Sequence, residues 1–403
     1  MHVSRPLFGK TSSLLLIVPI LLVVFLTSCV AGGSSTNSPR KAGHEQTTPG
    51  SVLLRGKSAS LSWIYGRDCL RGMQAYLQSA GADPDAALVG TGWVNPTDGS
   101  LINGHNKCVA GGPSMDTVVQ LVHSRGGMAY LTITMNTEGP DPWSVQQAAA
   151  YIDKATTDQG YIDTIVHEVA RAGYDGVIMD LEGVDHSYPA IQQVFASYNQ
   201  RLWAALRALH KWYGIALIPK VRDNDYNFFE NWRLLAHAAD FVVIMAVDES
   251  YFTPGPAVSL PWLKRLLTYA LQTMPQMVPR IIWELPLYGD SWHWEKNRWV
   301  FDDSITFQAA QALVQQATPA GIDAHASNMQ DMYAPHVVYT DASGVKHAVW
   351  YPTGKSLYSI INDFWQILKQ EPRFGKSRLQ IAVWWRTTQE PQDFWPLLDK
   401  LYW

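Results

Sequence analysis

Charge is scarce in this 403-residue chain: Asp, Glu, Lys and Arg together make up 16% of it, against 47% hydrophobic residues. Disordered chains have the opposite balance, so the composition excludes disorder over most of the length and calls for a large core. The formal charge is only −4 and no basic stripe is visible, which removes the electrostatic footprint of a nucleic-acid binder. Cysteine is nearly absent, with three in total, and no His cluster accompanies them, so they make no metal-site pattern. Neither metal nor cofactor is expected. Internal repeats and low-complexity tracts are missing apart from one polar stretch near the N-terminus. The apolar run before that stretch, Leu14 to Leu26, stops at 13 residues, too short for an ordinary spanning helix.

That short run is informative in another way. Arg5 and Lys10 precede it, which is the layout of a signal-peptide core. It ends in Leu26-Thr27-Ser28-Cys29, which resembles the bacterial lipobox, where the Cys carries the lipid and becomes the first mature residue. An uncleaved anchor helix with an incidental Cys is the alternative. Either arrangement puts the folded part outside the cytoplasm, anchored at the cell membrane. Residues 30–50 carry almost no apolar side chains and read as a flexible tether. The expected organisation is a signal at 1–29, a tether at 30–57 and a globular unit at 58–403. Cys69 and Cys108 either pair, clamping the first two loops, or remain free buried thiols.

Aromatic residues are plentiful, with 17 Trp and 18 Tyr. Flat rings stack on sugar faces, and they also fill cores; composition does not separate the two. The pattern along the chain is clearer. From residue 60 onward, short apolar runs alternate with helical segments. The runs are Leu61–Tyr65, Leu88–Val94, Ala129–Met135, Gly176–Glu182, Gly214–Lys220, Phe241–Asp248, Arg280–Tyr288 and Leu379–Trp385. Helices are expected at Met115–Arg125, Ile191–Trp212 and Pro261–Thr273, the last with Pro in a first turn that tolerates it. Eight strand–helix units predict an α/β fold, a (β/α)8 TIM barrel. An open doubly wound sheet would carry a Gly-rich phosphate loop after the first strand, and none is visible. The seventh gap, about ninety residues, exceeds any single crossover. Val337–Thr340 and Ala348–Tyr351 predict a hairpin around Asp341-Ala342-Ser343-Gly344. Residues 290–355 are therefore expected to be a small α+β insertion walling a groove on the barrel's C-terminal face.

The segment Tyr174-Asp175-Gly176-Val177-Ile178-Met179-Asp180-Leu181-Glu182-Gly183 carries the chemistry. Strand side chains alternate, so Val177, Met179 and Leu181 suit the helix-facing side, while Ile178, Asp180 and Glu182 point into the barrel. Two carboxylates at such positions lie on the order of 6–7 Å apart at the backbone. Their repulsion is expected to hold one proton above the usual carboxylate pKa, as protonation of a glycosidic oxygen requires. A strand ending in two solvated or ion-paired acids is the plainer reading.

The same segment resembles the signature of glycoside hydrolase family 18, Asp-Gly-x-Asp-x-Asp-x-Glu. Asp175, Gly176, Asp180 and Glu182 match, and Ile178 stands at the second Asp. Ile244-Met245-Ala246-Val247-Asp248 resembles the sixth-strand Met-x-Tyr-Asp, with Val247 for the Tyr. Leu285-Pro286-Leu287-Tyr288-Gly289 with Trp292 resembles the seventh-strand motif, and Ile381-Ala382-Val383-Trp384-Trp385-Arg386 the eighth. Trp93–Leu101, Ser259-Leu260-Pro261-Trp262 and His347-Ala348-Val349-Trp350-Tyr351 resemble the branch of spore-germination N-acetylglucosaminidases. This resemblance, spanning roughly residues 60–400, implies a substrate of β-1,4-linked N-acetylglucosamine, in peptidoglycan or a chitin-like polymer. It implies Glu182 as the acid and Asp180 as the group orienting the substrate's attacking acetamide. Asp175 supports them, and Trp385, Asp248, Tyr288, Met245, Asn136 and Trp93 bind sugar. Trp384 is expected to point outward. Val247 cannot donate the hydrogen bond a Tyr would, which implies a slow enzyme or, alternatively, a non-catalytic carbohydrate-binding lipoprotein. A monomer is expected.

Overall fold

The computed structural model describes residues 60–402, except 64–68, 79–86, 94, 96–97, 102–114, 136–143, 185–187, 224–227, 318 and 385–387. Cys29, Asn136 and Trp385 lie outside the described residues, as does Cys108 of the possible disulfide. Eight parallel strands close into a barrel: β1 (Ser60–Trp63), β2 (Ala87–Trp93), β3 (Ala129–Thr134), β4 (Gly176–Asp180), β5 (Trp212–Leu217), β6 (Phe241–Met245), β7 (Ile281–Pro286) and, last in the chain, β12 (Gln380–Trp384). β1 pairs with both β2 and β12, which completes the ring.

Alternation along these strands separates two apolar groups. Val177, Met179, Leu181, Val242, Ile244, Ile381 and Val383 pack outward, with the helices. Leu61, Trp63, Tyr130, Ile178, Ala216, Phe241, Val243, Met245, Val247, Ile282 and Ala382 fill the interior. Period-two patterning is therefore what fixes which side chains can meet at the barrel mouth.

The lower end of the barrel shows why the motif begins Asp-Gly. Asp175 precedes β4, and its Oδ2 accepts from the Ala129 N–H of β3 at 2.8 Å and faces His123 Nε2 at 2.8 Å. Its main chain bonds Ala129 O and Trp212 N. Asp240 repeats the device before β6, accepting from Tyr213 N at 2.9 Å. Gly176 follows because a Cβ there would sit 2.4 Å from the Trp212 carbonyl oxygen. Asp175 thus sets strand pairing at the end opposite Glu182; it is not beside the proposed chemistry.

Some boundaries differ from the sequence expectation. The helix after β4 is Ile191–Ala208, not reaching Trp212; His210 takes φ 58 and the chain turns there into β5. The helix Leu260–Thr273 starts as expected, with the Ser259 hydroxyl accepting from Trp262 N. The seventh barrel strand ends at Pro286, and Tyr288 already opens a new strand. A four-stranded antiparallel sheet lies between β7 and β12, made of β8 (Tyr288–Glu295), β9 (Arg298–Thr306), β10 (His336–Thr340) and β11 (Lys346–Trp350) in the order β10-β11-β8-β9. The helix Phe307–Gln316 packs on it. Only the β10–β11 hairpin was legible beforehand.

Candidate active site

β4 delivers two carboxylates to the barrel's C-terminal mouth. Ile178 is fully buried in the interior, while Asp180, at the strand's end, and Glu182, two residues beyond it, are half-buried. Leu181 between them belongs to the outer core, so the alternation carries past the end of the strand. Gly183 then takes φ 73, a conformation glycine adopts at no steric cost, and the chain leaves the barrel wall.

β6 and β8 supply the opposing side. Met245 and Val247 point inward, and tight contacts from Ala246 N to Ile244 O and from Val247 N to Met245 O, both 2.8 Å, bend the strand end. Asp248 follows at φ 62, a left-handed conformation that few non-glycine residues hold without support. The support is visible: the Tyr288 hydroxyl donates to Asp248 Oδ1. Tyr251 is oriented differently. Its ring stacks on Phe301 of β9 at 4.5 Å, and its carbonyl accepts from Trp292 Nε1 at 3.0 Å, so it ties the β6 loop to the antiparallel sheet.

One sequence expectation is reversed at β12. Ile381 and Val383 face the helices and Ala382 faces the interior, so the phase turns Trp384 inward as well. Its ring meets Trp63 edge-on, with centroids 6.1 Å apart and planes at 66°. Trp384, not expected there, packs with the interior cluster at the end of β12, beside Trp63 of β1. Trp93 ends β2 beside Thr134 of β3.

Several buried ionisable groups escaped the sequence reading. Glu284, on the inward face of β7, is 2% exposed; Glu230 is 1%, Lys220 5% and Asp290 2%. Glu230 Oε2 accepts from Ile218 N, and Lys220 Nζ donates to Glu230 O at 2.7 Å. Burial pushes the Glu230 carboxyl well up; Lys220 opposes this, and Glu182 and Asp180 add to it. Burial, then Asp180, raises Glu284, against the pull of the Trp63 indole. Asp290 is raised by burial and by Asp248, while Ser304 donates to it at 2.8 Å. Asp180, Glu182 and Asp248 thus add to the upward shifts of the buried acids Glu230, Glu284 and Asp290. Inward phase was the available signal: Glu284 sits two residues from Ile282 on the same face. Among the described residues no three His, Cys, Asp or Glu side chains are arranged to hold a metal ion.

No family model matches the chain. Among curated proteins it is similar to the cortical fragment-lytic enzyme of Bacillus anthracis, 26% identical over 280 residues that cover 67% of this chain and 61% of the relative. The Bacillus subtilis enzyme of the same name is 24% identical over 265 residues, 62% of this chain and 57% of the relative. The chain thus spans about three fifths of the length of these relatives. Among solved structures, the fold matches a chitinase from Chromobacterium violaceum with TM-score 0.66 at 20% identity, over 85% of this chain and 98% of that one. It matches the spore cortex-lytic enzyme of Bacillus cereus with TM-score 0.66 at 19% identity, over 85% of this chain and 73% of that one. Motifs, curated relatives and fold all point the same way: the chain is similar to glycoside hydrolase family 18, in its spore-germination branch.

Proposed function

We propose that this protein is a glycosidase that cleaves β-1,4-linked N-acetylglucosamine polymers, peptidoglycan or chitin-like. The observation that carries the reading is the meeting of two inward carboxylates, Asp180 and Glu182, with the Asp248–Tyr288 pair at one barrel mouth. Glu182 is half-buried and placed to protonate the leaving oxygen and later to activate water. Asp180 orients the substrate's acetamide, whose own oxygen attacks the anomeric carbon; this substrate-assisted route needs no second protein nucleophile. Trp384 offers a partly exposed indole to the sugar ring. The antiparallel sheet, joined to the β6 loop through Tyr251, forms one wall of the groove. The signal and lipobox support placing the enzyme outside the cytoplasm, tethered to the membrane at Cys29.

A binding module is the second reading, and Val247 favours it. This residue faces the interior, is 9% exposed, and carries no donor for the attacking oxygen. The Tyr288 hydroxyl is spent on Asp248, and Tyr251 is turned toward Phe301. Incubation with purified peptidoglycan fragments and with chitin oligomers, followed by mass spectrometry, decides between the readings. New reducing ends support the enzyme; saturable binding without any cleavage supports the module.

A further inference from the structure

The base of the barrel, where helices hand over to strands, differs in charge from the mouth. The acids of the candidate site lie at or past the C-terminal ends of the strands. Toward the base, exposed cations gather instead. Arg207 and Lys369 occupy the last turns of the helices Ile191–Ala208 and Gly354–Gln370, and Arg373 and Lys376 follow in the turn before β12. Arg233 joins them, donating to Gln272 O at 2.9 Å, while Arg373 donates to Leu271 O at 3.3 Å; both carbonyls lie at the end of the helix Leu260–Thr273. The acids of this end are half-buried and turned to backbone N–H groups: Asp175 to Ala129, Asp240 to Tyr213 and Glu371 to Arg373. Arg171 is held by Asp116 and Glu168 and adds no free charge. Asp83 and Asp85, in the connection to β2, lie outside the described residues.

Cations near helix C-termini complement the dipole and cap the last carbonyls, which gives several of these residues a local reason to be there. It gives none for the apolar groups set among them. Leu209, in the turn between Arg207 and Lys211, is 42% exposed. The Arg207 guanidinium lies 5.0 Å from the Trp203 ring centre, and Lys369 Nζ lies 3.8 Å from that of Trp365. Long cationic side chains over indoles, beside an exposed Leu, suit the boundary between water and lipid headgroups. The entry of the chain points to the same end. β1 begins at the base with Ser60, and residues 30–59 before it carry Arg40, Lys41, Arg55 and Lys57 against Glu45 alone. We propose that the barrel base is a docking surface for a bilayer containing anionic lipid, which holds the tethered protein with its mouth turned away from the membrane. The surface stands on the charge distribution and the exposed Leu209; the choice of a bilayer rests on the proposed tether, and none of it needs the glycosidase reading.

The test uses the full chain with vesicles of phosphatidylcholine alone and of phosphatidylcholine mixed with phosphatidylglycerol. The apolar N-terminal run contributes to binding on both, so the ratio of the two partition coefficients isolates the electrostatic part. One Lys or Arg at an anionic surface is worth about fivefold in partitioning. Arg207→Gln, Arg373→Gln and Lys376→Gln combined should therefore lower the ratio by roughly 100-fold, with the melting transition followed alongside to show that the barrel is intact. Hydrogen exchange reads the orientation. On the anionic vesicles the amides of Leu209, His210 and Lys211 and those of Arg373 to Ser377 should slow, the amides of Gly183 and Asp248 at the mouth should not, and added salt should restore the rates. A wild-type ratio in the folded triple variant, or slowing at the mouth and not at the base, overturns the proposal. So does equal slowing of the base amides by soluble polyphosphate, which would make the surface a site for a soluble polyanion. Cys29→Ala bears on the tether alone: a chain without lipid that keeps the wild-type ratio upholds the docking surface.

Discussion

Replacing Trp384 by Ala tests the inward phase of β12 and the groove together. The indole is half-buried and meets the Trp63 ring in an edge-type contact. A Trp side chain presents on the order of 200 Å². If a sugar covers half of that, the burial contributes about 2.5 kcal/mol at ~25 cal/mol per Å². Removing it should lower kcat/KM by about 70-fold. Titration with N-acetylglucosamine oligomers, by calorimetry or by quenching of indole fluorescence, should show binding weakened to match. Trp384→Phe keeps a smaller ring and should fall between. The lost contact with Trp63 also costs stability, so melting must be followed in the same variants and activity compared well below the transition. A folded Trp384→Ala protein that binds oligomers as the wild type does would refute the placement of this ring under the substrate.

Other expectations follow from the same geometry. Glu182→Gln keeps size and polarity but moves no proton; hydrolysis should fall by about 10²–10⁴ while oligomer binding and melting temperature stay near wild type. Val247→Tyr should raise turnover about thirtyfold on N-acetylated oligomers and not on de-acetylated ones, since a restored donor supplies roughly 2 kcal/mol to the transition state; a well-folded variant that binds and still does not cleave would favour the binding module. Gly176→Ala forces a methyl against the Trp212 carbonyl, 2.4 Å from the ideal Cβ position, and should cost about 1–3 kcal/mol in chemical denaturation without a specific effect on KM. Cys29→Ala, expressed in a bacterium, should release the protein from the membrane fraction; persistence there, with no acyl mass on the wild type, would point to an anchor helix.

The barrel was legible because each of its strands is an apolar run with Gly, Pro or polar residues beside it, and because closure imposes inward and outward faces that the β4 segment shows in its own letters. The errors have definable causes. Leu379 to Trp385 ends in two adjacent tryptophans, and either phase fits such a run when the start of the strand is uncertain by one residue. Ile381 and Val383 on the helix side settle it for Trp384. β8 and β9 were hidden because their connection is Lys296-Asn297, at φ 50 and φ 61, a tight hairpin turn made without the glycine that usually announces one. Asp175 belongs to the motif yet serves the base of the barrel, since a motif read along a strand spans both of its ends. Glu284 and Asp290 sit in stretches whose neighbours already explain the strand, so neither acid drew separate notice.

The joint at Leu287 sets how the groove works. One residue separates Pro286, the end of a barrel stave, from Tyr288, the start of the side wall. Leu287 is buried, and its N–H is bonded to Trp384 O at 2.7 Å. A moving lid needs a few residues able to absorb a large dihedral change, and this connection has none to spare. The wall is continuous with the floor, and Tyr288, on that wall, holds Asp248. If the protein is the glycosidase proposed above, its polymer would meet a wall that does not swing at this joint, and release of the cleaved chain would not wait for that side to open.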